Sequence, residues 1–344
     1  MFSQIKSLYK SKVLSEEQLQ KIKTTYNSKL YSPSIFIRIL FFILTLIGLS
    51  TISGPIALVF SNFSFENIQI TFLISGIAIM VTTEIILIRL NNHYLSGVTE
   101  AGIYAGLSFI YFGLINFDTN VTILFPILGF ILAVFAAIRY LNLLALVSSL
   151  AFLGWILFQL LYDLGGVYQA LIPFAFMIVY TSVYFVSVVI EKKLANFIFN
   201  DQFILLQLLA LLIVYIAGNY FVVRELSVEL MGLNLSENED IPFALLFYAF
   251  TILIPAGYIF WGIKKKSLLF IRTGLLTIVL SVITLKYYFS LGMPVVTVTI
   301  SGFVLIAVSL LLLNYLKQPR NGFTREKLLN DKWSSKDLTG IIAS

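Results

Sequence analysis

The chain contains no cysteine and a single histidine, His93. The first absence excludes disulfides, thiolate nucleophiles and iron–sulfur ligation. The second would leave a zinc site to be built almost wholly from carboxylates, against the usual preference for His and Cys ligands. Charge is scarce too. Asp, Glu, Lys and Arg make up 12% of the 344 residues, where a soluble domain carries about 25%. Recurrent catalytic motifs are missing as well: there is no Gly-x-Ser-x-Gly elbow, no P-loop and no histidine cluster. The expectation is therefore a protein that is not an enzyme, with no metal and no cofactor. The net charge of +6 is scattered along the chain and forms no single basic stripe, so no nucleic-acid partner is expected. Residues 1–34 hold no apolar run ahead of Ile35, which argues against a cleavable signal peptide.

What is present is apolar length. The hydrophobic fraction is 59% and the mean hydropathy +0.95, more than a water-soluble surface could cover with polar groups. A helix needs about 20 apolar residues to cross a hydrocarbon core of roughly 30 Å, and Ile35–Phe60 meets that requirement with Arg38 as its only charge. Nine further runs follow: Ile68–Leu90, Val98–Ile115, Val121–Ile138, Leu141–Leu161, Val167–Ile190, Phe203–Val223, Pro242–Ile263, Leu268–Phe289 and Pro294–Leu316. They must be helical, because an open sheet edge in lipid leaves backbone groups unpaired. The fold expected is all-α, a polytopic transmembrane helix bundle of about ten spans with short loops. It has three parts: an amphipathic helical head (1–34), a membrane domain (35–316) and a short tail (317–344).

One boundary in that series rests on charge. Val121–Leu161 is nearly unbroken and far too long for one helix, interrupted only by Arg139-Tyr140 and Asn142. Splitting it at Arg139 puts all but two of the 23 Lys and Arg, Arg224 and Lys286, on one side. Leaving it whole flips every later loop. The positive-inside rule prefers the split, with both termini cytoplasmic, and the apolar exterior has the lipid bilayer as its partner. A bacterial inner membrane is the location expected.

The head carries its own signals. Ser15 and Gln18 have the spacing of a capping box, with Leu14 and Leu19 at the staple positions. Leu19, Ile22 and Tyr26 form a stripe beside Lys21, Lys23 and Lys29. Such an arm lies on the protein's own cytoplasmic face, lies on the membrane surface, or binds a cytoplasmic protein partner through residues 1–34.

Ionisable residues inside spans are costly and are candidates for function. Glu84 is the clearest, in the second run beside Thr82 and Thr83, with Arg38 at a comparable depth in the first. Arg38, Arg89, His93 and Glu100 fall at the same membrane side, giving a candidate polar cluster of Arg38, Glu84, Arg89, His93 and Glu100. It reads either as an ion-pair network stapling the first three helices, with Glu84 paired to Arg38 or Arg89, or as a transport site with Glu84 as coupling carboxylate. A transport path would also draw on Gln159, Tyr180, Tyr184, Gln207, Asn219, Thr297, Thr299 and Ser301. Gly102, Gly106 and Gly113, and Gly129, Ala133 and Ala137, mark faces where helices approach closely. Pro126, Pro173 and Pro255 lie within spans and could kink them.

With the head Leu14-Ser15-Glu16-Glu17-Gln18-Leu19, the many short-looped spans and the late Lys286-Tyr287-Tyr288-Phe289, the chain resembles a family of uncharacterised bacterial multi-pass membrane proteins, a domain of unknown function. The resemblance implies an inner-membrane protein and supplies no activity. The function expected is that of a non-enzymatic membrane scaffold or regulator; the alternative is a secondary transporter of a small or lipid-like substrate.

Overall fold

The computed structural model describes residues 33–61, 65–91, 96–115, 122–194, 199–230 and 240–288, the short stretch 15–18 and the single residues 93, 232 and 303. Among these residues the regular structure is helical, as hydrocarbon demands of a backbone that must satisfy its own N–H and C=O groups. Among the described residues seven helices are long and apolar enough to cross a membrane, so the chain is an integral membrane protein. Two more, of 17 residues each, are apolar but shorter. The expected tenth run, Pro294–Leu316, lies outside the described residues apart from Phe303, as do the tail and nearly all of the head. Within the head, Ser15 and Gln18 do exchange the two bonds of a capping box: Ser15 N donates to Gln18 Oε1 at 3.0 Å and Gln18 N to Ser15 Oγ at 3.2 Å.

The described helices fall into two compact units. Residues 28–165 hold α1 (Ile35–Ser61), α2 (Phe65–Thr82, continuing as a π-helix over Thr83–Leu90), α3 (Val98–Leu114), α4 (Leu124–Tyr140) and α5 (Leu143–Leu164). The chain does turn at Arg139-Tyr140. Leu141 takes a left-handed conformation (φ 51°), and Asn142 caps α5 by accepting from Ala145 N at 3.0 Å. Small residues decide how closely this unit packs. A Cβ at Gly76 would lie 2.6 Å from Ile110 N and 2.8 Å from Gly106 O, and one at Gly113 would lie 2.5 Å from Leu73 N. The backbones of α2 and α3 are thus in contact, which larger side chains would forbid. Gly102 seats Thr83, Gly106 seats Met80 and Gly129 seats Phe152. Ala136, Ala137 and Tyr140 of α4 bury against Ile103 and Ala145. The sides facing away are apolar and exposed, including Ile39, Leu40, Ile43 and Leu44 on α1, as a lipid-facing surface requires.

The second unit takes in residues 1–27 and 166–344 and holds α6 (Val167–Leu194), α7 (Asn200–Gly218), α8 (Tyr220–Glu229), α9 (Ala244–Lys265) and α10 (Leu268–Tyr288). The run read as Phe203–Val223 is not one helix. It stops at Gly218, Asn219 turns extended (ψ 124°), and α8 starts afresh at Tyr220. Tyr220 stacks on Tyr248 with ring centroids 3.8 Å apart, and Tyr220, Val223, Ile241 and Phe247 form a small core. Lys266, left-handed at φ 53°, closes the turn from α9 to α10.

Candidate functional site

Two ion-paired nodes occupy one end of the first unit. The expected five-residue cluster is divided between them.

The first node is built on the π-helix. An α-helix carries 3.6 residues per turn and sets residues i and i+5 about 140° apart, whereas the i→i+5 bonds of a π-helix bring them closer to one line. Glu84 and Arg89 have this spacing, and Arg89 Nε donates to Glu84 Oε1 at 3.1 Å. The π turn closes where Asn91 N donates to Ile86 O at 3.2 Å. The same oxygen, Oε1, also accepts from Arg139 Nη2 at the end of α4. Glu84 Oε2 is buried, and the hydroxyl of the buried Tyr140 lies within hydrogen-bonding reach of the carboxylate. The Arg139 guanidinium also lies over the Tyr140 ring, 5.6 Å from its centroid. Exposure is graded: the side chain of Glu84 is 17% exposed, that of Arg139 45% and that of Arg89 67%. The carboxylate lies inside, and the guanidiniums face out.

The second node joins α1 to α3. Arg38 Nη2 donates to Glu100 Oε1, and Glu100 Oε2 accepts from the backbone N of Gly97 at 2.7 Å. Glu100 is thereby both the acid of a helix N-terminus, where the dipole favours it, and the partner of the α1 cation. Gly97 has φ 89°, and a Cβ there would meet the Arg38 carbonyl oxygen. The preceding segment is tied down by Ser96 Oγ and Thr99 Oγ1, 3.1 Å apart, and by Thr99 Oγ1 donating to His93 O at 2.6 Å. His93 enters this arrangement through its backbone, its N–H donating to Leu87 O at 2.9 Å. Beside it, Tyr104 donates its hydroxyl to Asn142 Oδ1 at 2.7 Å, which links α3 to the α4–α5 turn.

Of the expected partners of Glu84, Arg89 is there and Arg38 is not, since Arg38 serves Glu100. The partner the sequence reading missed is Arg139, which was read only as the marker of a turn. Its place near a membrane boundary on the same side as Arg89 was the available signal.

A second concentration of polar groups lies in the other unit, around the break at Asn219. Asn219 Nδ2 donates to Tyr215 OH at 2.7 Å and to Thr284 Oγ1 at 3.0 Å, while its Oδ1 accepts from Thr284 Oγ1 at 3.1 Å. Tyr215 OH and Ser281 Oγ lie 2.8 Å apart, and Ser281 Oγ donates to Thr251 O at 2.7 Å. Thr251 Oγ1 in turn accepts from Tyr220 N at 3.0 Å. Beyond the span, Tyr220 OH donates to Asp240 Oδ1 at 2.6 Å and accepts from Arg224 Nη1 at 3.0 Å. Burial pushes the Tyr220 hydroxyl above the ordinary tyrosine range, and the bond to Asp240 acts in the same direction.

Several of the described path candidates have neighbours in hand, although Gln159 Oε1 is buried without a hydrogen bond. Gln207 Nε2 donates to Glu191 Oε2 at 2.6 Å, Gln159 Nε2 to Thr122 Oγ1, and the Tyr184 ring packs on Phe270. Tyr180 is buried. Thr297, Thr299 and Ser301 lie outside the described residues. Among the described residues no three His, Asp or Glu side chains come together as metal ligands.

No family model matches the chain, and neither a curated protein nor a solved structure matches it.

Proposed function

We propose that this chain is a non-enzymatic membrane scaffold or regulatory protein whose intramembrane charges hold helices together. One observation carries the reading: the deepest carboxylate, Glu84, shares one oxygen between Arg89 and Arg139, so its pairs join the π-helical end of α2 to α4. The polar groups of α7, α9 and α10 bond one another in the same closed fashion. Ten spans, both termini in the cytoplasm and residence in a bacterial inner membrane complete the proposal, supported by the one-sided distribution of Lys and Arg. In this topology both nodes sit at the cytoplasmic boundary, and residues 1–34 are available to a cytoplasmic protein.

The transporter alternative draws on one feature, the π-helix that carries Glu84, since π segments recur at functional sites. The absence of cysteine makes the test direct. Single cysteines at Gln207, Asn219, Thr251 and Ser281 can be probed with membrane-impermeant thiol reagents from either side. The scaffold reading expects all four to resist labelling in the bilayer; labelling from both sides would establish a water-filled path and overturn it.

A further inference from the structure

The Glu84 node has more positive charge than it neutralises. Among the described residues, two guanidiniums share one carboxylate oxygen, which leaves one positive charge over, and the neighbouring Tyr140 hydroxyl is neutral. The surplus is displayed outward, because Arg89 and Arg139 are the exposed members of the node and Glu84 the least exposed. Glu84 engages Arg89 through Nε and Arg139 through one Nη2. The remaining N–H groups of two convergent forks can therefore serve a second acceptor, and such forks match the geometry of phosphate oxygens. Arg89 is one residue from the end of the Ile68–Leu90 span, and Arg139 one residue from the end of α4. On the membrane side of both lie exposed apolar side chains: Ile85 and Ile86 before Arg89, and Phe135 and Ile138 before Arg139. An anion held here would have its charged group at headgroup level with hydrocarbon beneath it.

We infer that Arg89 and Arg139, aimed by Glu84, form a clamp for the phosphate of an anionic glycerophospholipid. Basic sites among transmembrane helices recognise such headgroups. The flanking apolar surface is what favours a lipid over free phosphate, which would have no use for it. The site needs only the membrane boundary, and it holds whichever leaflet that boundary belongs to.

The experiment is a thermal-unfolding titration of the purified full-length chain in a neutral detergent. The additives are dioleoylphosphatidylglycerol, dioleoylphosphatidylcholine and inorganic phosphate. Phosphatidylglycerol is expected to raise the midpoint in a saturable way, while phosphatidylcholine and phosphate leave it unchanged. Arg89→Gln, at the more exposed position, should weaken the apparent affinity for phosphatidylglycerol by about tenfold, the worth of a charged hydrogen bond. Arg139→Lys keeps the charge and loses the fork, and should give a smaller loss in the same direction. Equal shifts with both lipids, or the same phosphatidylglycerol affinity in both variants as in the parent, would overturn the clamp. A shift with inorganic phosphate equal to that with the lipid would overturn the lipid assignment.

Discussion

Arg89 stands five residues after Glu84 and donates to its Oε1 at 3.1 Å, a pairing that the π turn brings into line. Because Arg139 reaches the same oxygen from α4, Glu84 is the joint between α2 and α4. Its replacement by Gln should lower stability by about 1–3 kcal/mol. Breaking a fully buried pair costs about 3–5 kcal/mol and an exposed one less than about 1 kcal/mol, and this node lies between. A second change, Arg139→Gln, should restore part of the loss, whereas Arg38→Gln should restore none, since Arg38 belongs to Glu100. Thermal unfolding in detergent measures all four proteins. Rescue by the Arg38 change would mean that the nodes are not separate.

Gly97 is the tightest backbone constraint of the site. Its φ of 89° and its approach to the Arg38 carbonyl leave no room for a Cβ. Gly97→Ala should cost about 2 kcal/mol or more through backbone strain and displacement of α1. Gly48→Ala provides the contrast, because a Cβ there meets nothing within 4 Å. Equal melting points for the two variants would refute the assignment.

Packing of α2 on α3 depends on glycine as firmly. Gly76→Leu should force the helices apart, because Ile110 N and Gly106 O stand where the side chain would begin. The Thr83–Gly102 contact beneath Glu84 should loosen with it. The expected result is a large fall in folded yield, read by size-exclusion chromatography in detergent. A monodisperse, normally stable variant would contradict the close contact.

Asn219 both caps α8 and satisfies two neighbours. Asn219→Ala removes the cap, worth about 1 kcal/mol, and leaves the Tyr215 and Thr284 hydroxyls short of a partner at about 1–3 kcal/mol. A total of about 2–4 kcal/mol is expected, with Asn219→Asp losing less because its Oδ1 still accepts. A loss under about 0.5 kcal/mol would show that the network relaxes around the gap.

Membrane character, the helix at Ile35 and the turn at Arg139 were legible because each depends on apolar length or on charge count, quantities a sequence carries directly. The break at Asn219 was not legible, since Phe203–Val223 is uncharged and long enough for one span, and the residues that hold the turn, Thr251, Ser281 and Thr284, come from distant helices. At the site, sequence depth singled out Glu84, Arg38, Arg89 and Glu100 as unusual, but depth does not assign partners. The switch to a π-helix rotates Arg89 toward Glu84, and no local pattern in Thr83–Leu90 announces that switch. Gly102 and Gly106 signalled close approach correctly in kind, yet Gly76, which meets Gly106 across the interface, stands alone in its run and fits no small-residue repeat.

The turn at Leu141-Asn142 has a consequence for how the molecule comes together. Separate helices in a bilayer must find each other by lateral diffusion, and that encounter grows rarer as the membrane is diluted with lipid. Two residues of tether between α4 and α5 abolish the search, because closing so short a loop costs little further entropy. The pairing of Gly129 with Phe152 is then an event within one molecule, indifferent to crowding. Cutting the chain between Leu141 and Asn142 would restore the search, and the yield of rejoined fragments would come to depend on their density in the membrane.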